Sequence, residues 1–164
     1  MKLFFLRHGR AEDAPIGGRD YDRKLTEAGI AEMRKVAKGL ARVVGHLDVI
    51  IASPLPRALE TARLAADTLR IRDGIDVSDR LSPGAFDLDA VRDLTASRPS
   101  GARIMFVGHE PSFSGMVREL TGAGAEMKKT GLAVVETDRA ERDAGELRLL
   151  LSPAVLILVG GDQD

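Results

Sequence analysis

The chain has 164 residues, a formal net charge of -1 and no cysteine. It is long enough for one well-buried core and too short for two ordinary domains, so a single domain over 1–164 is expected. The lack of cysteine excludes disulfides, zinc–thiolate sites and cysteine-nucleophile chemistry, and the interspersed charges form no basic stripe for nucleic acid and no polybasic cluster for a membrane.

The first apolar run, Leu3-Phe4-Phe5-Leu6, predicts a buried strand that ends in Arg7-His8-Gly9. A run that stops so early at an arginine is too short for a signal peptide, and a cytoplasmic location is the expectation. A helix is predicted after Leu25, with Thr26 as N-cap, Glu27 near the positive helix end and Ile30, Met33, Ala37, Leu40 and Val44 on one buried face. Asp48 to Ser53 reads as a second strand closed by Pro54 and Pro56. A helix follows from about Arg57 to Arg70, with Ala58, Ala62, Ala65 and Leu69 inward. A short strand near Ile75 to Ser78 leads through the loop Leu81-Ser82-Pro83-Gly84-Ala85-Phe86 to a helix over about Leu88 to Ser97.

Arg103 to Val107 is the next strand and is followed by Gly108-His109-Glu110. Pro111-Ser112 opens a helix over about Phe113 to Leu120, because a proline in the first turn has no hydrogen bond to lose there. Leu132 to Thr137 and Glu146 to Leu151 are expected to form an antiparallel hairpin. The tail Ala154 to Val159 fits either an extra strand or a helical turn, and it is far short of the roughly 20 residues of a membrane span. Apolar runs alternating with amphipathic stretches predict an α/β fold, a mainly parallel sheet with helices on both faces.

In such sheets, ligands bind outside the carboxyl ends of the strands. Three strand ends therefore deliver Arg7, His8, Arg57 and His109 to one place, a site for an anionic group, most simply phosphate. Each residue alone has a plain alternative: a packed histidine, or a solvated arginine at a helix start. Together they are harder to explain that way, since an unpaired arginine at a buried strand end is costly. Gly9 is expected to permit a backbone turn that other residues resist.

Arg7-His8-Gly9, the block Ser53-Pro54-Leu55-Pro56-Arg57-Ala58-Leu59-Glu60-Thr61-Ala62 and Gly108-His109 resemble the three signatures of the histidine phosphatase superfamily. Leu25-Thr26-Glu27-Ala28-Gly29, Val107-Gly108-His109-Glu110-Pro111 and Lys128-Lys129-Thr130-Gly131-Leu132-Ala133 are similar to its SixA-type phosphohistidine phosphatase branch, over Met1 to about Ser152. The resemblance implies a phosphoglycerate mutase-like three-layer α/β/α domain. It implies His8 as a nucleophile that forms a phosphohistidine enzyme, and Arg7, Arg57 and His109 as the phosphate pocket. It implies no cofactor and no metal. The expected partner is a phosphohistidine-bearing protein or a small phosphate ester, with the chain a monomer.

A proton donor is less plainly marked. Larger relatives carry a glutamate in the loop after the third strand, where this chain reads Leu81-Ser82-Pro83-Gly84. Glu110 stands where the acid-phosphatase branch has its donor, and its other reading is a residue stabilised by the positive end of the next helix. Phosphohistidine releases imidazole, a better leaving group than an alkoxide, so the lack of a strong acid favours it as substrate. Mutase-type relatives follow Arg-His-Gly with a signature that includes asparagine, where this chain has Arg10-Ala11-Glu12-Asp13. Three alternatives stand beside this reading: a general phosphomonoesterase, a binding module without turnover, and a metal site from His8, His109 and Glu110 that the flanking arginines would oppose.

Overall fold

The first strand, β1 (Lys2–Arg7), is buried on both faces, which is why its apolar residues run without interruption. Leu3 and Phe5 point to one core, and Phe4 and Leu6 to the other. The computed structural model describes residues 1–14, 20–71 and 74–161. Its further elements are α1 (Glu27–Val44), β2 (Val49–Ala52), α2 (Pro56–Leu69), β3 (Ile75–Val77), α3 (Leu88–Thr95), β4 (Arg103–Gly108), α4 (Ser112–Thr121), β5 (Leu132–Thr137), β6 (Gly145–Leu151) and α5 (Pro153–Gly160).

The six strands lie in the order β3-β2-β4-β1-β5-β6. The pairs β1–β4, β2–β4 and β2–β3 are parallel, while β1–β5 and β5–β6 are antiparallel. This is the expected α/β architecture, with the hairpin attached to the parallel strands through β5.

One core packs Phe5, Ile51 and Phe106 against α3 and α4. Aromatic rings knit it together: Phe5 and Phe113 meet at 5.5 Å and 69°, and Phe86 and Phe106 at 5.3 Å and 57°, tilted arrangements that favour ring edges against faces. The opposite core packs Phe4, Leu6, Ile50 and Met105 against α1, α2 and α5.

Thr26 caps α1 as expected, its hydroxyl accepting from Gly29 N–H at 3.0 Å. Asp87 caps α3 by accepting from Ala90 N–H at 2.8 Å. Ile30 and Leu69, placed inward by spacing alone, are half-buried, while Val36 of α1 is fully buried beside Met33, Ala37 and Leu40. The tail is helical: Ser152 accepts from Val155 N–H and Pro153 opens α5. Residues 162–164 of that tail lie outside the described residues.

Helix α5 is held against α1 by backbone proximity. A Cβ on Gly39 would lie 1.9 Å from the carbonyl oxygen of Leu156, and one on Gly160 would lie 3.0 Å from Gly39 N. Gly39→Ala must push the two helices apart, so it is expected to lower stability by about 1–3 kcal/mol, as overpacking does. Urea unfolding of the variant checks this, and an unchanged midpoint would contradict the close approach.

Candidate functional site

The parallel strands β1, β4 and β2 are adjacent, so their carboxyl ends bring Arg7-His8, Gly108-His109 and Ser53 together. Backbone bonds fix this junction: His8 N–H donates to Gly108 O at 3.0 Å, and Ser53 N–H donates to Val107 O at 2.9 Å. Arg57 enters on the first turn of α2, one residue after Pro56. The four side chains expected at one place do share it. The rings of His8 and His109 stand 5.1 Å apart at 55°, and both guanidiniums depress the basicity of both rings.

Each arginine is anchored through its terminal nitrogens. Arg7 Nη1 donates to Met127 O at 2.7 Å. Arg57, only 4% exposed, donates from Nη1 to Asp20 O and from Nη2 to the Asp20 carboxylate, both at 2.8 Å. The Asp20 carboxyl is held below its usual value, first by its hydrogen bond from Arg23 and also by Arg57. Among the described residues, four buried side-chain nitrogens lack a hydrogen-bond partner, and three of them are Arg7 Nε, Arg57 Nε and His109 Nδ1. Buried donors are ordinarily paired. Three unpartnered nitrogens in one cluster, two of them on guanidiniums, are chemically suited to the oxygen atoms of an anion.

His8 donates from Nδ1 to its neighbour's carbonyl, Gly9 O, at 2.7 Å. A carbonyl only accepts, so the ring proton sits on Nδ1 and Nε2 keeps its lone pair. Burial is the main cause that pulls His8 down to about 4, with Arg57, Arg7 and Lys129 adding to it and the Gly9 bond opposing. His109 is pulled down to about 3, again first by burial and then by His8 and Arg57. For both rings, depth in the fold is a larger cause than the cationic neighbours. Both rings are neutral at neutral pH.

Gly9 lies outside the left-handed region, so conformational freedom does not explain it. Space does: a Cβ would come 3.1 Å from Leu25 Cδ2 and 3.4 Å from Thr130 Cγ2. Its N–H donates to Thr61 Oγ1 at 3.0 Å, and Thr61 in turn donates to Arg57 O at 2.7 Å, tying β1 to α2. Glu110 Oε1 accepts from Ser114 N–H, in the first turn of α4, at 3.3 Å. No group of three histidine, aspartate or glutamate side chains among the described residues is arranged to hold a metal.

Asp20, Ser53 and Thr61 were not singled out from sequence as site residues. Ser53 and Thr61 lie within the quoted signature block, which was the available signal. Asp20 had none.

The histidine ionisations carry a stability consequence. Both folded values lie below the roughly 6.5 of an unstructured histidine, so the unfolded chain binds protons first and stability rises with pH in that interval. The contribution is complete above about pH 6.5 and is lost on acidification toward the folded values, by on the order of 1 kcal/mol per pH unit for each ring. Urea unfolding at about pH 7 and about pH 5 tests this, with His8→Ala expected to show a shallower dependence than the native chain. An equal slope in both proteins would contradict it.

Residues 3–84 match the model described as the histidine phosphatase superfamily (branch 1). An uncharacterized protein of Picosynechococcus sp. (strain ATCC 27264 / PCC 7002 / PR-6) is 34% identical, over 96% of this chain and 99% of its own length. Phosphohistidine phosphatase SixA of Escherichia coli (strain K12) is 26% identical, over 95% and 96%. The structure of the protein histidine phosphatase SixA complexed with tungstate superposes with a TM-score of 0.82 at 29% identity, covering 95% of this chain and 99% of that one. Among the described residues no helix is long and apolar enough to cross a membrane.

Proposed function

The chain belongs to the histidine phosphatase superfamily and is a phosphatase by that kinship, and we propose that it hydrolyses phosphohistidine, carried on a protein, through a covalent intermediate at His8. The observation that carries this is the orphaned trio Arg7 Nε, Arg57 Nε and His109 Nδ1 beside a ring whose Nε2 holds a lone pair. The likeness to SixA supports the substrate class.

In this mechanism the equatorial oxygens of the phosphoryl group lie against Arg7, Arg57 and His109, where charge concentrates during transfer. His8 Nε2 attacks phosphorus, the bond from phosphorus to the substrate's imidazole nitrogen breaks, and the imidazole leaves with the electron pair and takes a proton from solvent water. A water molecule then attacks phosphorus on His8 and gives up a proton to solvent. The P–N bond breaks, inorganic phosphate leaves and the free ring returns. Dividing one displacement in two lowers each barrier. Arginine suits both halves, because it stays charged and can bind two oxygens side by side.

Glu110 is assigned a limited role as acid. Its carboxylate already serves α4 through Ser114, and an imidazole leaving group asks little of a donor. Glu110→Gln is expected to lower hydrolysis of phosphate esters more than hydrolysis of phosphohistidine. A substrate panel of phosphohistidine-bearing protein, sugar phosphates and nucleotide phosphates, run on both proteins, tests substrate and acid together. Faster turnover of the esters by the native chain would favour a general phosphomonoesterase, and equal losses on both classes would remove Glu110 as acid.

A further inference from the structure

Ser53 is wholly buried where β2 ends, and its hydroxyl lies 2.8 Å from His109 Nε2. The same oxygen accepts from Leu55 N–H at 3.3 Å. An amide N–H can only donate, so it occupies a lone pair of Ser53 Oγ and leaves the single hydroxyl proton for another acceptor. His109 Nε2 is that acceptor. If Nε2 carried the ring proton instead, the hydroxyl would receive two donors and its own proton would be buried without a partner. Nδ1, the other ring nitrogen, would then turn a lone pair toward the oxygens of the anion.

We propose that Ser53 is a positioning residue that fixes His109 in the Nδ1–H form, so that this ring presents a donor, not a lone pair, to the phosphoryl oxygens. The inference deepens the phosphoryl-pocket reading and rests on it for its consequence in turnover, though not for the tautomer itself. It accounts for His109 Nδ1 as one of the unpartnered buried nitrogens. It also gives a chemical reason for a serine directly after β2. Alanine would fill nearly the same space there but could not choose between the two tautomers.

Nitrogen NMR of the protein labelled at its three histidines, assigned through His8→Ala and a His46 variant, reads the tautomer without any substrate. At neutral pH the expected spectrum shows His109 protonated at Nδ1 and bare at Nε2. Ser53→Ala is expected to lose that single form, to bind inorganic phosphate more weakly and to turn over roughly 10²-fold more slowly, the scale for a lost oxyanion donor. Ser53→Thr, which keeps the hydroxyl, should keep the native tautomer. A protonated Nε2 in the native protein would overturn the proposal, as would a Ser53→Ala variant with tautomer and phosphate affinity both unchanged. If the buried alanine variant does not fold, the native spectrum and the threonine variant decide. An Nδ1–H form in a chain that hydrolyses no phosphorylated substrate would defeat the functional reading and leave this one standing.

Discussion

His8→Ala is expected to reduce turnover by on the order of 10⁴-fold or more, the loss seen when a nucleophile that works as part of a unit is removed. Cooperative unfolding should persist. The backbone bonds that seat this residue, His8 N–H to Gly108 O at 3.0 Å and Thr130 N–H to His8 O at 3.3 Å, involve no side chain and survive the change. The deleted ring stands against that of His109, 5.1 Å away. Trapping with a labelled substrate and a quench in alkaline detergent, where a P–N bond survives, should give a phosphorylated native chain and an unlabelled variant. Substantial residual turnover, or a variant that melts without a transition, would contradict the assignment of His8.

Arg57 carries the second large effect. Arg57→Ala removes a buried guanidinium and should raise the barrier by about 2.7–4 kcal/mol, which is roughly 10²–10³ in rate. Arg57→Lys should recover little of this. The native side chain anchors to Asp20 through both terminal nitrogens and still leaves Nε, whereas an ammonium is a single point of charge without a planar fork. Loss of the cation also relieves His8 and His109 of one cause that depresses them. Their values should rise, and the acid limb of the pH–rate profile should move to higher pH in Arg57→Ala. A lysine variant with near-native kcat/KM would show that a point charge suffices, and an alanine variant with near-native kcat/KM and an unmoved acid limb would show that Arg57 acts only as a packed residue.

Much of this site was legible because its members stand directly after apolar runs. Ile104-Met105-Phe106-Val107 could hardly be anything but a buried strand, and His109 two residues later had to lie at its edge. The same held for His8. Other features depend on contacts that sequence does not encode locally. Met127 supplies only a carbonyl to Arg7, and any residue has one. Asp20 sits in a short polar stretch with no periodicity, and its use becomes visible only when Arg57, distant in sequence, is found against it.

The expectation for Gly9 was right in residue and wrong in cause, since packing against Leu25 and Thr130 selects it. The tail could have been settled from sequence. Its apolar residues give no period, but Ser152-Pro153 is a helix-start signal, a capping hydroxyl followed by proline in the first turn.

The strand order has a consequence for how the protein assembles. β4 lies between β1 and β2 yet is made after both of them. Until residues 103–108 are available, the sheet lacks the strand that lies between β1 and β2, and the pairing that seats His8 and Ser53 at one junction is not made. Affinity for an oxyanion should therefore arise all at once, late in synthesis, with no weaker version in shorter lengths of nascent polypeptide. Such dependence on distant pairings also slows folding relative to a helical bundle of similar size.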